Sequence, residues 1–191
     1  MSDDTVGNDR SADTLTTAID GVVLRRYHAD MVDALVAAAD FEEISTYMGD
    51  GFPYPYTRDD AEAWIAVATA DDPPIQYSIW VDGELAGGLG AFAGTDERTG
   101  TYEIGWWLTP ARWGHGITSA AARRLVDELF EQRDVMRVWA PIMHPNAASA
   151  RVAEHAGLLR EGISFGAYLK RGVRYDQIHY GLTRPQWQVS R

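Results

Sequence analysis

The stretch "YEIGWWLTPARWGHGITSAAARRL", Tyr102–Leu125, decides how the rest of the chain is read. Its opening, begun at Thr101 and closed by Thr109 before Pro110, is a run of apolar and aromatic residues that reads as a strand. Beyond Pro110, residues Ala121, Ala122, Leu125, Val126, Leu129 and Phe130 fall on one face at helical spacing. Between strand and helix stand Gly114 and Gly116. Glycine costs about 1 kcal/mol in a helix relative to alanine, so a Gly-x-Gly at a helix start needs a reason. A strand that enters a helix through such a loop turns several unpaired backbone N–H groups and the positive end of the helix dipole toward one spot, a ready anion site. The other reading is a pair of glycines that fit a tight turn. The spacing is neither that of a P-loop nor that of a dinucleotide fold, which has a third glycine.

Composition limits what this unit can serve. The 191 residues suggest one domain, and 46% hydrophobic with 24% charged is ordinary globular usage. Cysteine is absent, which excludes disulfides, thiolate metal sites and a cysteine nucleophile. A net charge of −11 argues against nucleic acid as a partner and suits a cationic or amine substrate. No run is long and apolar enough for a membrane span, and the acidic start is unlike a signal peptide, so the expectation is a cytoplasmic protein with no membrane partner.

Along the chain, residues 1–17 carry few apolar groups and are expected to be a disordered tail, with one domain over 18–191. "GVVLRRY" at 21–27 reads as a first strand, Asp30 as the N-cap of a helix through Phe41, and a second helical piece runs through Ile44 and Met48. Thr57 and Asp60 form a capping-box variant ahead of Ala61, Trp64 and Ile65. Asp82-Gly83 marks a hairpin that the 101–109 strand extends into an antiparallel meander. A buried strand at 135–143, a helix over 146–155 closed by Gly157, and a final hairpin across Arg171-Gly172 complete a mixed α/β order.

Three ordered segments, "YEIGWWLTPARWGHGITSAA", "HPNAASARVAEHAGLLREG" and "YLKRGVRYDQIHYGL", resemble the core of the GNAT acyl-CoA-dependent N-acetyltransferases, in the RimJ/RimL-type branch. The resemblance runs from about residue 20 to Trp187 and includes "PYPYTRDDAEAWI". It implies a mixed α/β GNAT fold: a central, mostly antiparallel sheet splayed around the strand-loop-helix acyl-CoA site and flanked by helices. It also implies acetyl-CoA as co-substrate, no metal, a primary amine as acceptor, and relatives that are often dimers.

Carried over by position, the loop binds the coenzyme A diphosphate through the backbone of Gly114, His115, Gly116, Ile117 and Thr118, beside Trp113 and Leu108, with Arg112 as a charged candidate. Thr118 stands where the family keeps a smaller residue. Glu103 occupies the place of a strand carboxylate that takes the amine proton; its plainer reading is a polar residue on the open face of a half-buried strand. The resemblance sets the backbone N–H of Trp107 against the acetyl carbonyl. Asn146 is the pantetheine-binding Asn and equally an N-cap for the helix from Ala147. Where many members place a tyrosine acid, this chain has Ala153, and Ser149 is the branch's substitute near the sulfur. Tyr168 aligns with a position that is a catalytic carboxylate in some relatives, and as a phenol it either lines the acceptor site or packs. The loop Phe52–Tyr56, with Tyr54 and Tyr56, is expected to border the acceptor cleft. Set against the enzyme is a non-catalytic acyl-CoA-binding module of the same fold.

Overall fold

A computed structural model describes residues 14–70 and 75–191. Its strands are β1 (Thr14–Thr16), β2 (Val22–Arg26), β3 (Gln76–Val81), β4 (Glu84–Ala93), β5 (Thr101–Leu108), β6 (Arg137–Met143), β7 (Leu159–Lys170) and β8 (Val173–Thr183). They form one sheet in the order β1-β2-β3-β4-β5-β6-β8-β7. Every neighbouring pair is antiparallel except β5 and β6, which run parallel and are joined only over Thr101–Glu103 and Arg137–Trp139. A parallel pair needs a long crossover, and α4 (Ile117–Gln132) supplies it. Past Glu103 and Trp139 the two strands part, so the rest of β5 has a free edge on an opening.

Each face of the sheet carries its own core. On one, α4 and α5 (Ala147–His155) bury Leu125, Val126, Leu129, Phe130 and Ala153 against Leu24, Ile79 and Val138. Ala121, Ala122, Leu125, Val126, Leu129 and Phe130 are all buried, as their spacing predicts. On the other, α1 (Val32–Ala39), α2 (Glu42–Tyr47) and α3 (Arg58–Ala68) bury Leu35, Ile44, Tyr56 and Ile65 against Tyr27 and Trp107. The Thr57 capping box starts α3, with the Asp60 carboxylate accepting from both Thr57 N–H and its hydroxyl. Both expected hairpin turns have positive φ at each central residue, Asp82-Gly83 at 52° and 88° and Arg171-Gly172 at 48° and 79°.

Two sequence expectations are corrected, and one helix was not foreseen. Of the tail expected over 1–17, residues 1–13 lie outside the described residues, whereas Thr14–Thr16 forms β1 on β2. Leu15 packs on the core there, and Thr17 Oγ1 donates to Val22 O at 2.9 Å, which ties the segment to the edge of β2. Asp30 is not an N-cap: it sits inside a single 3₁₀ turn, Ala29–Met31, and α1 begins after it with no side-chain cap. Finally, α6 (Arg184–Val189) follows the last hairpin with its own capping box, Thr183 to Gln186. Pro185 stands in its first turn, where a proline is well tolerated.

Candidate active site

The loop between β5 and α4 holds Gly114 at φ +81° and Gly116 at φ +75°. Gly116 is the N-cap of α4 and offers no side-chain cap, and the helical bonding pattern resumes at Ala120 N–H to Gly116 O, 3.0 Å. The N–H groups of Ile117, Thr118 and Ser119 are therefore left to the loop's concave side. They border a cleft of about 410 Å³ that also takes in Trp106, Trp107, Leu108, Trp113, Asn146 and Ser149. Gly114 and Thr118 line it; His115, between the two glycines, does not. Arg112 lines it with its guanidinium already 3.1 Å from Glu84.

The strand edge over this cleft follows from register. Thr109 N–H donates to Ala86 O and Gly94 N–H to Thr101 O, both at 2.8 Å, so the odd-numbered residues of β5 bond β4. The Trp107 N–H accordingly faces Gly88 and not the opening, which corrects the role expected for it. Trp106 and Leu108 turn their backbone groups to the cleft, and the Leu108 carbonyl is held by Trp113 Nε1 at 2.7 Å. Trp107 contributes its ring instead, in contact with Phe52 at 5.6 Å between centroids.

Asn146 caps α5, its Oδ1 accepting from Ser149 N–H at 3.0 Å. One interaction thus places both expected residues on the cleft wall. Tyr168 is not part of that wall. It lies on β7 with its hydroxyl beside Gly49, and burial together with the Asp50 charge raises its pKa.

A second cavity of about 560 Å³ lies on the α1–α3 side, sharing Met48, Trp106 and Trp107 with the first. Glu103 belongs to this cavity. Its carboxyl is half-buried, and desolvation raises its pKa above the ordinary value, partly offset by the Arg98 charge. Tyr56 lines the same cavity and is pushed up to about 12, mainly by burial. Tyr54 is exposed and lines neither.

Sequence reasoning missed the remaining wall: Trp64, Gln76, Gly90 and Gly105. Glycines inside β4 and β5 were the available signal, since a strand weakens at glycine unless something approaches it. It also missed Lys170, buried with its ammonium 2.7 Å from Met48 O and 3.4 Å from Asp50, which anchors the segment roofing both cavities. Nothing in its sequence setting marks it, because lysine is usually exposed. Among the described residues no cluster of three His, Asp or Glu side chains is arranged to hold a metal.

Residues 22–159 match the family model described as Acetyltransferase (GNAT) domain. A Bacillus subtilis protein named "Putative ribosomal N-acetyltransferase YdaF" is 30% identical over 119 residues, 62% of this chain and 64% of its own length. FsC-acetyl coenzyme A-N(2)-transacetylase of Aspergillus fumigatus is 28% identical over 150 residues, 71% of this chain and 63% of its own. The matched segments thus span just under two thirds of both relatives. The solved structure of RimL, a ribosomal L7/L12 alpha-N-protein acetyltransferase in complex with coenzyme A, superposes with a TM-score of 0.80 at 21% identity, covering 89% of this chain and 97% of that one. That likeness shows the fold.

Proposed function

The chain belongs to the GNAT acetyltransferase domain family, and on that premise we propose that it is an N-acetyltransferase moving an acetyl group from acetyl-CoA to a primary amine by direct attack within a ternary complex. The observation that carries this is the meeting of two cavities across Trp106, Trp107 and Met48, with a desolvated carboxylate, Glu103, on the second side.

Acetyl-CoA supplies the thioester whose acyl carbon the amine attacks. The bare N–H groups at the start of α4 suit its diphosphate, and Gly114 and Gly116 leave them uncovered. With Asn146 Oδ1 committed to its cap, the amide Nδ2 is the group left for the pantetheine arm. The cleft-facing backbone of Trp106 supplies the donor for the acetyl oxygen, the place first expected of Trp107.

Amines are protonated at neutral pH, so attack needs a base that is ionised yet strong for a carboxylate. Partial burial gives Glu103 that character. The ammonium first loses one proton to solvent; as the N–C bond then forms and the C–S bond breaks, a second proton passes from nitrogen to Glu103, which returns it to solvent, and the departing sulfur gains one from the Ser149 hydroxyl, which solvent replenishes. Tyr168, outside both walls, takes a supporting role at the acceptor rim through Gly49. The acceptor is a protein N-terminus, in keeping with the names of YdaF and RimL, or a small cationic amine, in keeping with the net charge of −11. A cytoplasmic location and a homodimer belong to the same reading.

The test is thiol release from acetyl-CoA across an amine panel. Acceleration by at least one amine is expected. If none accelerates release while acetyl-CoA still raises the melting temperature, the protein is a binding module and not an enzyme.

A further inference from the structure

On the sheet face turned to the second cavity, β4 and β5 align three cross-strand pairs: Phe92 with Glu103, Gly90 with Gly105, and Gly88 with Trp107. The middle pair is bare on both strands. Two of the glycines have packing reasons. A Cβ at Gly88 would come within 2.5 Å of the Tyr27 hydroxyl, and one at Gly90 would collide with the side-chain oxygen of Gln76, whose Nε2 is held by Ala91 O at 2.6 Å.

Gly105 has no such reason. A Cβ there meets no atom of the described residues within 4 Å, and its φ is not positive, so neither a described neighbour nor the backbone requires glycine. It is exposed in the middle of a central strand, and the space its side chain would fill is the floor of the cavity. With a rise of about 3.4 Å per residue, the Glu103 and Trp107 rows stand about 14 Å apart with the bare Gly90–Gly105 row between them. Its rails are Phe92 and Trp107, and its walls are Trp64, Tyr56 and Phe52, the last 5.0 Å from Tyr56 and 5.6 Å from Trp107 between ring centroids.

Charge narrows the occupant further. Among the described residues lining this cavity the charged ones are Asp60 and Glu103, with no Lys, Arg or His. Asp60 is engaged by the Thr57 cap, and Arg98, whose charge acts on Glu103, does not line the cavity. A carboxylate or phosphate bound here would have no counter-charge, and burying one unpaired is costly.

We infer that the acceptor is a primary amine on a flat apolar body, of the arylalkylamine type, with no carboxylate or phosphate; Gly105 is the residue that admits the ring. This rests on the transfer reading above. The amine sits beside Glu103 at one end of the glycine floor, and the ring lies flat on Gly105 between the aromatic walls. Small adjacent polar or steric differences in such pockets separate substrates by about 10 to 200-fold.

The test compares phenethylamine, phenylalanine, n-butylamine, methylamine and an alanyl peptide as acceptors, by thiol release and by mass of the acetylated product. Phenethylamine is expected to exceed each of the others in kcat/KM by about tenfold or more. Gly105→Val is expected to lower the phenethylamine-to-methylamine ratio of kcat/KM by about tenfold, with Gly105→Ala between, as a side chain grows into the floor. Acetyl-CoA dissociation constants measured on both variants report that the fold and first cleft are intact. If amines react but phenylalanine or the alanyl peptide is preferred, or if Gly105→Ala leaves the ratio unmoved, this inference falls and the transfer reading stands. If no amine releases thiol, both fall.

Discussion

Trp113 Nε1 donates to the Leu108 carbonyl across 2.7 Å, tying the glycine loop back onto the free edge of β5. The bond spans five residues and closes the turn that aims the start of α4 at the cleft. Trp113→Phe keeps the ring and removes the donor. The expected cost is about 1 kcal/mol of stability, the usual net worth of one such bond. The clearer effect is on binding, because the loop loses its fastening: acetyl-CoA affinity is expected to fall by about three- to tenfold, since each 1.4 kcal/mol is a factor of ten. Calorimetric titration checks it, and an unaltered dissociation constant would mean the loop holds its shape unaided.

Glu103 links activity and stability in opposite directions. Glu103→Gln is expected to lower turnover by about 10² to 10⁴-fold, with little change in acetyl-CoA affinity. For the wild type, kcat/KM rises with pH through the raised Glu103 pKa, because the ionised form accepts the proton. Stability runs the other way. The folded carboxyl holds its proton to higher pH than the unfolded one, so its contribution declines from the ordinary 4.5 upward and is fully lost above the folded value. The Gln variant should therefore melt no lower than wild type at neutral pH, and thermal melts at several pH values test this. A variant that loses stability at neutral pH while keeping turnover would assign Glu103 a structural role.

The sequence carried the strands, the main helices and the first cleft further than the second cavity, and the reason is physical. Helical and strand periodicities in α4 and β5 reflect burial on one face, and Gly114 and Gly116 mark positive φ, so both are written locally. The Trp107 N–H could not be placed, because which edge of β5 it faces depends on the pairing register with β4, and a one-residue change reverses every backbone group. The second cavity gathers Phe52, Trp64, Gln76, Phe92 and Glu103 from segments far apart in the chain. Apart from the strand glycines and the Phe52–Tyr56 loop, no local pattern announces such a wall. Lys170 and Arg184 were missed for the same reason, since their partners, Met48 and Phe130, lie far off in sequence.

Gly116 separates backbone strain from ligand access. Its φ of +75° disfavours any side chain, and Gly116→Val is expected to cost about 1–2 kcal/mol from conformation alone, since among the described residues a Cβ meets only Ile19, at 3.9 Å. Acetyl-CoA binding should be largely lost as well. Gly116→Asn tolerates the left-handed region and should recover most of the melting temperature, yet its side chain still stands over the first N–H groups of α4. Weak acetyl-CoA binding in a well-folded Asn variant would support diphosphate binding by the loop. Full binding in that variant would remove the loop from that role.

Arg184 provides a stability test far from the chemistry. Its guanidinium donates to three carbonyls, Val135 at 2.8 Å, Phe130 at 2.9 Å and Arg133 at 2.7 Å, and lies over the Phe130 ring at 5.6 Å. These oxygens belong to the last turn of α4 and the segment after it, where helical carbonyls lack partners and a cation also meets the negative end of the dipole. Arg184→Ala removes all three charge-assisted bonds and is expected to cost about 2–4 kcal/mol. For a chain of this size that is a fall of roughly 5–15 °C in Tm. Arg184→Lys should recover only part, because one ammonium cannot span a fork of three acceptors. Sixteen helical residues at about 1.5 Å each put some 24 Å between this cluster and Gly116. Turnover at a temperature where every variant is folded should accordingly match wild type. A Tm unchanged in the alanine variant would show that water replaces the guanidinium at no cost, and a fall in turnover with Tm intact would couple the far end of α4 to the cleft.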